Sequence, residues 1–456
     1  MTPAPPPSTA ARSARALALG ALCVVVAAGC ASSTGSGDAR LGQAASWSSL
    51  TGGPENSGRA HAPVADSPGL VWSRALGAPA TGVASSDGIG TFFQATVSER
   101  GCNLFALTAD DGRKRWCLRL PTDGPRITPT VDGRGSVFVP MYGGVGAVAA
   151  EGENRWFAET RGIPTTVTLL DGRHLLLVSH LGVASVVNTQ TGLAASPELA
   201  VAGRVAPSDP GFGLPWCGSG ERGCPAPGPA AVDTRTGTAY LTAWGPGDPA
   251  PELVAVRFTA GETGRLEELW RVALPGGRLG VPVVLSNDRD QVHLHARDGS
   301  LSSYSTADGS PLWSAPVGYR PDTPPALLPD GTLVTGGRTT TAWRGPDDDH
   351  PADAGPAPVV AVRGEDGRGR EVWRRDDLRQ LTNPAATADG RVAVAVRSGG
   401  TDDEPGIALH LLDGTDGRTV AEIAVPAATG PVSGLSVDSD GRIALTTAMG
   451  AVYVFG

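Results

Sequence analysis

About eight times along this chain an apolar strand runs into an acidic or Gly-containing turn and then into a short stretch that often ends in Trp. The clearest copies are LFALTADDGRKRW (Leu104 to Trp116), LVAVRFTAGETGRLEELW (Leu253 to Trp270), LSSYSTADGSPLW (Leu301 to Trp313) and VVAVRGEDGRGREVW (Val359 to Trp373). A strand-and-turn unit recurring every ~40–50 residues is the mark of a β-propeller or another repeat array. The 63 Gly and 39 Pro fit, since turns are where both are needed. A repeat of this kind sets the fold and leaves function open, because propellers host many unrelated activities.

Each unit has a second recognisable half, an inner strand pair around an Asp-Gly-type turn. The copies are GVASSDGIGTFFQA, TPTVDGRGSVFVP, TVTLLDGRHLLLV, PAAVDTRTGTAYLTA, VPVVLSNDRDQVHLHA, PPALLPDGTLVTGG, NPAATADGRVAVAV and GLSVDSDGRIALTT. Alternating small or β-branched residues around such a turn are a hairpin signal. Weaker outer hairpins are VGAVAAEGENRW, VASVVNTQTGL and ALHLLDGTDGRTV, which leaves one missing in chain order. AVYVF (Ala451 to Phe455) and LVW (Leu70 to Trp72) supply its two strands from opposite ends of the chain. The expectation is therefore an all-β, eight-bladed propeller of four-stranded antiparallel blades over residues 47–456, closed by pairing of the C-terminal and N-terminal strands, a closure that removes open sheet edges. Two stretches break the period and read as surface insertions, Gly203 to Pro229 and Arg344 to Pro358. Trp72, Trp116, Trp156, Trp270, Trp313 and Trp373 recur at one register of the outer strand. They are expected to pack between neighbouring blades.

The N-terminus is a targeting segment. Arg12 and Arg15 precede an apolar run, Ala16 to Ala28, of signal-peptide length and too short to span a bilayer. It ends in AAGC, which resembles the lipobox of bacterial lipoproteins, with Ala27 where Leu is usual; the resemblance makes Cys30 the acylated first residue of the mature protein. Residues 1–29 are then the signal peptide, and 30–46, rich in Ser, Gly and Ala, a flexible tether. The protein is expected to be exported and lipid-anchored, on the outer face of the cell membrane or the periplasmic side of the envelope. Cys23 is discarded with the signal. Cys102 and Cys117 flank the first clear outer hairpin, and Cys217 and Cys224 close the loop WCGSGERGC; both pairs are expected to form disulfides, as suits an exported protein.

Net charge is −9 for the whole chain and, without the two signal-peptide arginines, −11, which argues against nucleic-acid binding. Lys114 is the single lysine, a bias attributed to a GC-rich genome. The run Asp347, Asp348, Asp349 and His350 reads as a solvated insertion. His293 and His295 share one face of a strand; they would bind a metal if a third ligand joined them, and an exposed strand face explains them equally well. His61, His174, His180 and His410 carry no pattern. Glycine strings fall in turns, and no G-x-S-x-G, Walker or zinc motif is found.

The order of apolar strand, A-x-D-G-x-x-x-W and Pro-containing inner strand resembles the quinoprotein-type (PQQ-like) repeat. WSSLTGGPENSGRA (Trp47 to Ala60) is also similar to the opening of such chains. That family includes quinone-dependent alcohol dehydrogenases, the outer-membrane assembly lipoprotein of the β-barrel machinery and many surface lipoproteins. Its dehydrogenases use an adjacent Cys-Cys pair beside the quinone, Glu, Asn and Asp on Ca²⁺, and an Asp base. The chain has no adjacent cysteines and no C-x-x-C-H haem motif. No catalytic, cofactor-binding or metal-ligating residue is therefore assigned. The expectation is a monomeric, non-enzymatic, lipid-anchored propeller serving as a scaffold or adaptor for an envelope protein or complex, with a quinone-dependent oxidoreductase and a surface sensor or carbohydrate-binding protein as alternatives. Deleting residues 344–358 should leave the melting temperature within a few degrees of the full chain; a fall of tens of degrees would show that the stretch belongs to the folded body.

Overall fold

The computed structural model describes residues 47–98, 100–121, 128–202, 209, 211–214, 217, 223–245, 250–274, 281–295, 299–319, 323–335, 357–400, 405–426, 428 and 431–456. The expected signal peptide and tether with Cys30, Trp216, and the acidic run with His350 lie outside the described residues.

Within the described residues all regular structure is β. Asp supplies the local reason at the inner turns. One carboxylate oxygen of Asp132 accepts the backbone N–H of Arg134 and of Ser136 at 2.9 and 2.8 Å, and Asp87 and Asp438 repeat the arrangement. Such a side chain stands in for backbone partners and nucleates a tight turn. The acidic residues of these turns are thus consumed by the fold.

The strands form six four-stranded antiparallel sheets and one eight-stranded sheet. The latter falls into two runs of four, joined only where Gln380 pairs with Val396. Divided there, the ring comprises eight four-strand blades. The first spans 80–118, the second 130–159, the third 164–200, the fourth 231–273, the fifth 284–316, the sixth 326–380 and the seventh 385–424. The eighth takes its three inner strands from 432–455 and its outermost strand from Leu70–Ala75. Leu70 pairs with Phe455, Ser73 with Tyr453 and Ala75 with Ala451, which is the closure expected from the two chain ends.

Burial falls from axis to rim. Innermost Ala80–Ser86 is buried throughout, whereas the outermost strand Lys114–Leu118 is exposed or half-buried. The core lies between blades: Phe93, Leu104 and Ala106 of the first pack on Val131, Val137 and Val139 of the second, and Phe138, Val145 and Ala147 of the second on Val167, Leu169 and Leu175 of the third.

The register tryptophans couple one blade to the next. The indole N–H of Trp72, Trp116, Trp156, Trp270 and Trp373 donates to a carbonyl in the outer turn of the following blade, that of Ala109, Ala150, Thr189, Thr306 and Gly414 respectively, at 2.7–3.1 Å. Each ring lies flat on a glycine of that turn. At Gly152, φ is +92° and a Cβ would sit 2.8 Å from the Trp116 ring; at Gly192, φ is +71° and a Cβ would sit 2.7 Å from that of Trp156. Backbone conformation and the approaching ring both demand glycine there. Trp313 makes the equivalent contact against Gly364 and Gly369 of the sixth blade.

Arginines add a second set of ties. Arg74 donates to the Gly112 carbonyl and Arg375 to that of Gly417, forward along the ring, while Arg271 donates to Val201 and Arg374 to Val317, backward. A planar fork of five donors reaches a neighbour's carbonyl and a local carboxylate together, which an ammonium does less well. The arginine preference, attributed above to codon bias, thus has a structural use. Trp116→Ala should cost ~3–5 kcal/mol, and Trp116→Phe, which keeps most of the packing and loses the N–H, about 1 kcal/mol, as read from denaturant unfolding; equal costs would refute the division between packing and hydrogen bond.

Candidate functional site

In a four-stranded meander the first-to-second and third-to-fourth connections lie at one end, and the second-to-third and blade-to-blade connections at the other. The propeller therefore has a turn face, where the Asp turns and the Trp-bearing seams lie, and a loop face.

The turn face is sealed on the axis by the chain's own opening segment. The carbonyl of Trp47 accepts the N–H of Ser86, Ser48 that of Val131, Pro54 that of Val232, Glu55 that of Leu285, Ser57 that of Leu327 and Gly58 that of Ala386, all at 2.8–2.9 Å. These donors belong to the innermost strands of the first, second, fourth, fifth, sixth and seventh blades, met in chain order. Asn56, in the left-handed region at φ 56°, donates from its amide to the Val283 carbonyl at 3.0 Å and accepts from the Thr51 hydroxyl. Glu55 and Asp233 hold Arg289, at 3.1 and 2.7 Å. Residues 47–60 thus form a strap, folded by turns of its own, whose backbone acceptors match donors of the inner strands.

Behind the strap is a cavity of about 30 Å³, lined by Thr51, Asn56, Thr128, Thr130, Thr166 and Thr168 among others. A space of that size suits a water molecule and falls far below the ~300–1,000 Å³ of ordinary ligand pockets. A tricyclic quinone does not fit it, and its lining lacks carboxylates for Ca²⁺. Among the described residues no group of three or more His, Cys, Asp or Glu side chains is placed to hold a metal ion.

The loop face carries the longest connections, because the strands on either side of 119–129, 201–230 and 336–356 end there. Both disulfides secure this end. Cys102 and Cys117 are bonded, with Cα atoms 5.7 Å apart, and so are Cys217 and Cys224, at 4.9 Å. The second bond is docked on a residue that carried no sequence pattern. His180 is fully buried at the end of the third blade's second strand. Its Nδ1 accepts the N–H of Ile163 at 3.0 Å, and its Nε2 faces the Phe212 carbonyl at 2.7 Å. Those partners select the neutral Nε2–H tautomer. Burial lowers its pKa, against the opposing pull of the Phe212 carbonyl. The His180 carbonyl accepts from Ala226, and Cys224 Sγ lies 3.8 Å from the same oxygen. The insertion is therefore tied into the blade on both sides of its disulfide. Tyr142 and Phe212 stand 41% and 46% exposed on this face.

His293 and His295 need correction. Neither lies on an exposed strand face: they are 4% and 2% exposed, and desolvation pushes their pKa values down to about 4 and about 3. No third ligand joins them among the described residues. The six register tryptophans sit at seams between blades, away from the loop face. His180→Phe, which keeps the volume and leaves the Ile163 N–H unpaired, should cost ~1–3 kcal/mol and speed proteolytic cleavage within 203–223; unchanged cleavage would mean the insertion is held elsewhere.

No protein-family model matches the chain. The structure is similar to BamB from Moraxella catarrhalis, with a TM-score of 0.55 and 16% identity over 85% of this chain and 99% of that one. It is also similar to a quinohemoprotein alcohol dehydrogenase from Comamonas testosteroni (TM-score 0.61, 14% identity, 90% and 80% covered) and to a europium-containing methanol dehydrogenase (0.63, 13%, 90% and 98%). At such identities the likeness is one of fold, that of a PQQ-like repeat propeller. The sequence itself is 32% identical over 356 residues to protein Rv3035 of Mycobacterium tuberculosis, covering 78% of this chain and 82% of that protein, and the chain belongs to that protein's family.

Proposed function

We propose that this protein is an exported, lipid-anchored, non-enzymatic β-propeller that binds a protein partner of the cell envelope on its loop face. The observation that carries the reading is the strap: residues 47–60 occupy the axis of the turn face with hydrogen bonds to six blades. The turn face is left with short Asp-stabilised turns, and the longer connections gather at the opposite end. There a disulfide and a buried histidine hold an insertion bearing Phe212, beside Tyr142. Rigid loops that present aromatic side chains suit protein recognition, since little ordering entropy is lost on binding. The propeller fold shared with BamB supports a place in an envelope complex. Anchoring rests on AAGC and Cys30. The absence of adjacent cysteines supports a role without quinone chemistry.

The test is photo-crosslinking in the native cells, with the crosslinker at Tyr142 or Phe212 on the loop face and at Asp308 or Asp416 on the turn face. A discrete adduct only from the loop-face positions, and release of Cys30→Ala protein from the membrane, are the expected results. Adducts from the turn face alone would overturn the choice of face. Dye reduction by the purified protein given the quinone and Ca²⁺ would overturn the non-enzymatic reading.

A further inference from the structure

His293 and His295 stand on one face of Gln291–His295, the second strand of the fifth blade. The other face, Val292 and Leu294, packs against Tyr240, Leu253 and Ala255 of the fourth blade. The histidine face looks the opposite way. His295 pairs with Leu301, and the His293 ring lies 5.7 Å from that of Trp313. Leu301 and Trp313 pack in turn against Leu327, Leu333 and Val360 of the sixth blade. The imidazoles are therefore part of the seam between these two blades. Among the described residues, Nδ1 of both and Nε2 of His295 are shut from solvent without a well-formed hydrogen bond, and the Ser300 backbone favours a charged His295 less than burial disfavours it.

An imidazolium at this place would carry a full charge and two N–H donors into a largely apolar seam. The surrounding ionisable groups give it little relief. Asp288, on the preceding turn, favours a charged His293 less than burial disfavours it. Asp290 is bound to Ser286, and the Tyr319 phenol to the Thr335 hydroxyl. From the sixth blade, Arg363 is held by Asp330 and Thr332, and Arg374 by Glu371 and the Val317 carbonyl. Among the described residues no carboxylate pairs with His295.

We propose that the two histidines make the seam between the fifth and sixth blades an acid-sensitive latch, closed while both rings are neutral and opened when either takes a proton. Both folded-state pKa values, about 4 and about 3, lie below the ordinary 6.5. An opened seam therefore binds protons that the closed one refuses. Closure is at full strength above pH 6.5 and weakens as pH falls through the range between the ordinary and the folded values. At pH 5 the equilibrium for opening should rise at least ~10-fold per imidazole.

Hydrogen exchange of the full chain at pH 7 and pH 5, corrected for intrinsic rates, tests this. Segments 284–295 and 326–335 should lose protection ~10-fold or more at pH 5, while 130–169 keeps its own. In H293Q/H295L the acid response of those segments should vanish. If the double variant fails to fold, H293Q and H295Q singly should each reduce it. An acid response spread evenly round the ring, or unchanged in the variants, would overturn the proposal. So would slower exchange of these segments at pH 7 on adding zinc, which would make the pair a metal site.

Discussion

The ring depends on one repeated contact, an indole of one blade laid on the outer turn of the next. Each such contact does two jobs. It buries a large apolar surface between sheets, and its N–H satisfies a turn carbonyl that no strand can reach. The turn must offer glycine, since a Cβ at Gly152 or Gly192 would collide with the ring. Tryptophan on one blade and glycine on the following one, some forty residues later, are thus a single interaction written in two places. The period of the sequence is the period of this contact. Where it is absent, as from the third blade to the fourth, the contact of His174 with Phe258, ring centres 4.8 Å apart, takes its place at the same seam.

A ring held only by neighbour contacts could still open anywhere. Two features act across it instead. Leu70–Ala75 completes the eighth blade, so that the first and last strands of the propeller share one sheet. The carbonyls of the strap at 47–60 then accept N–H groups from six inner strands in succession. Because the strap precedes the strand that closes the ring, the same N-terminal stretch seals the axis and shuts the circle. It also gives the molecule a direction: one end is spent on self-assembly, and the other carries the long connections, both disulfides and the docked insertion.

Much of this is legible in the residues. Asp-Gly turns, alternating strands and the split outer hairpin at Leu70–Trp72 and Ala451–Phe455 mark the blades and their closure. Both cysteine pairs lie close in sequence, so local geometry brings them together. His180 was not legible. Its partners, Ile163, Phe212 and Ala226, come from three different segments, and a lone histidine at a strand end has no spacing to betray it. The pair at 293 and 295 shows the same limit from the other side: strand alternation puts both on one face but does not say whether that face meets water or another blade. Arginine use was equally opaque, since a guanidinium tied to a neighbouring carbonyl and one in solvent look alike in sequence.

The sequence by itself determined the secondary structure, the blade repeat, the closure and the seam tryptophans, because these follow from local turn chemistry and from a period that repeats along the chain. Only the tertiary structure decided that the opening segment lies across the axis, that one end is sealed while the other carries the insertions, and that two histidines lie buried between blades. Those are properties of groups brought together from distant positions, and their burial and hydrogen bonding exist only once the ring has closed.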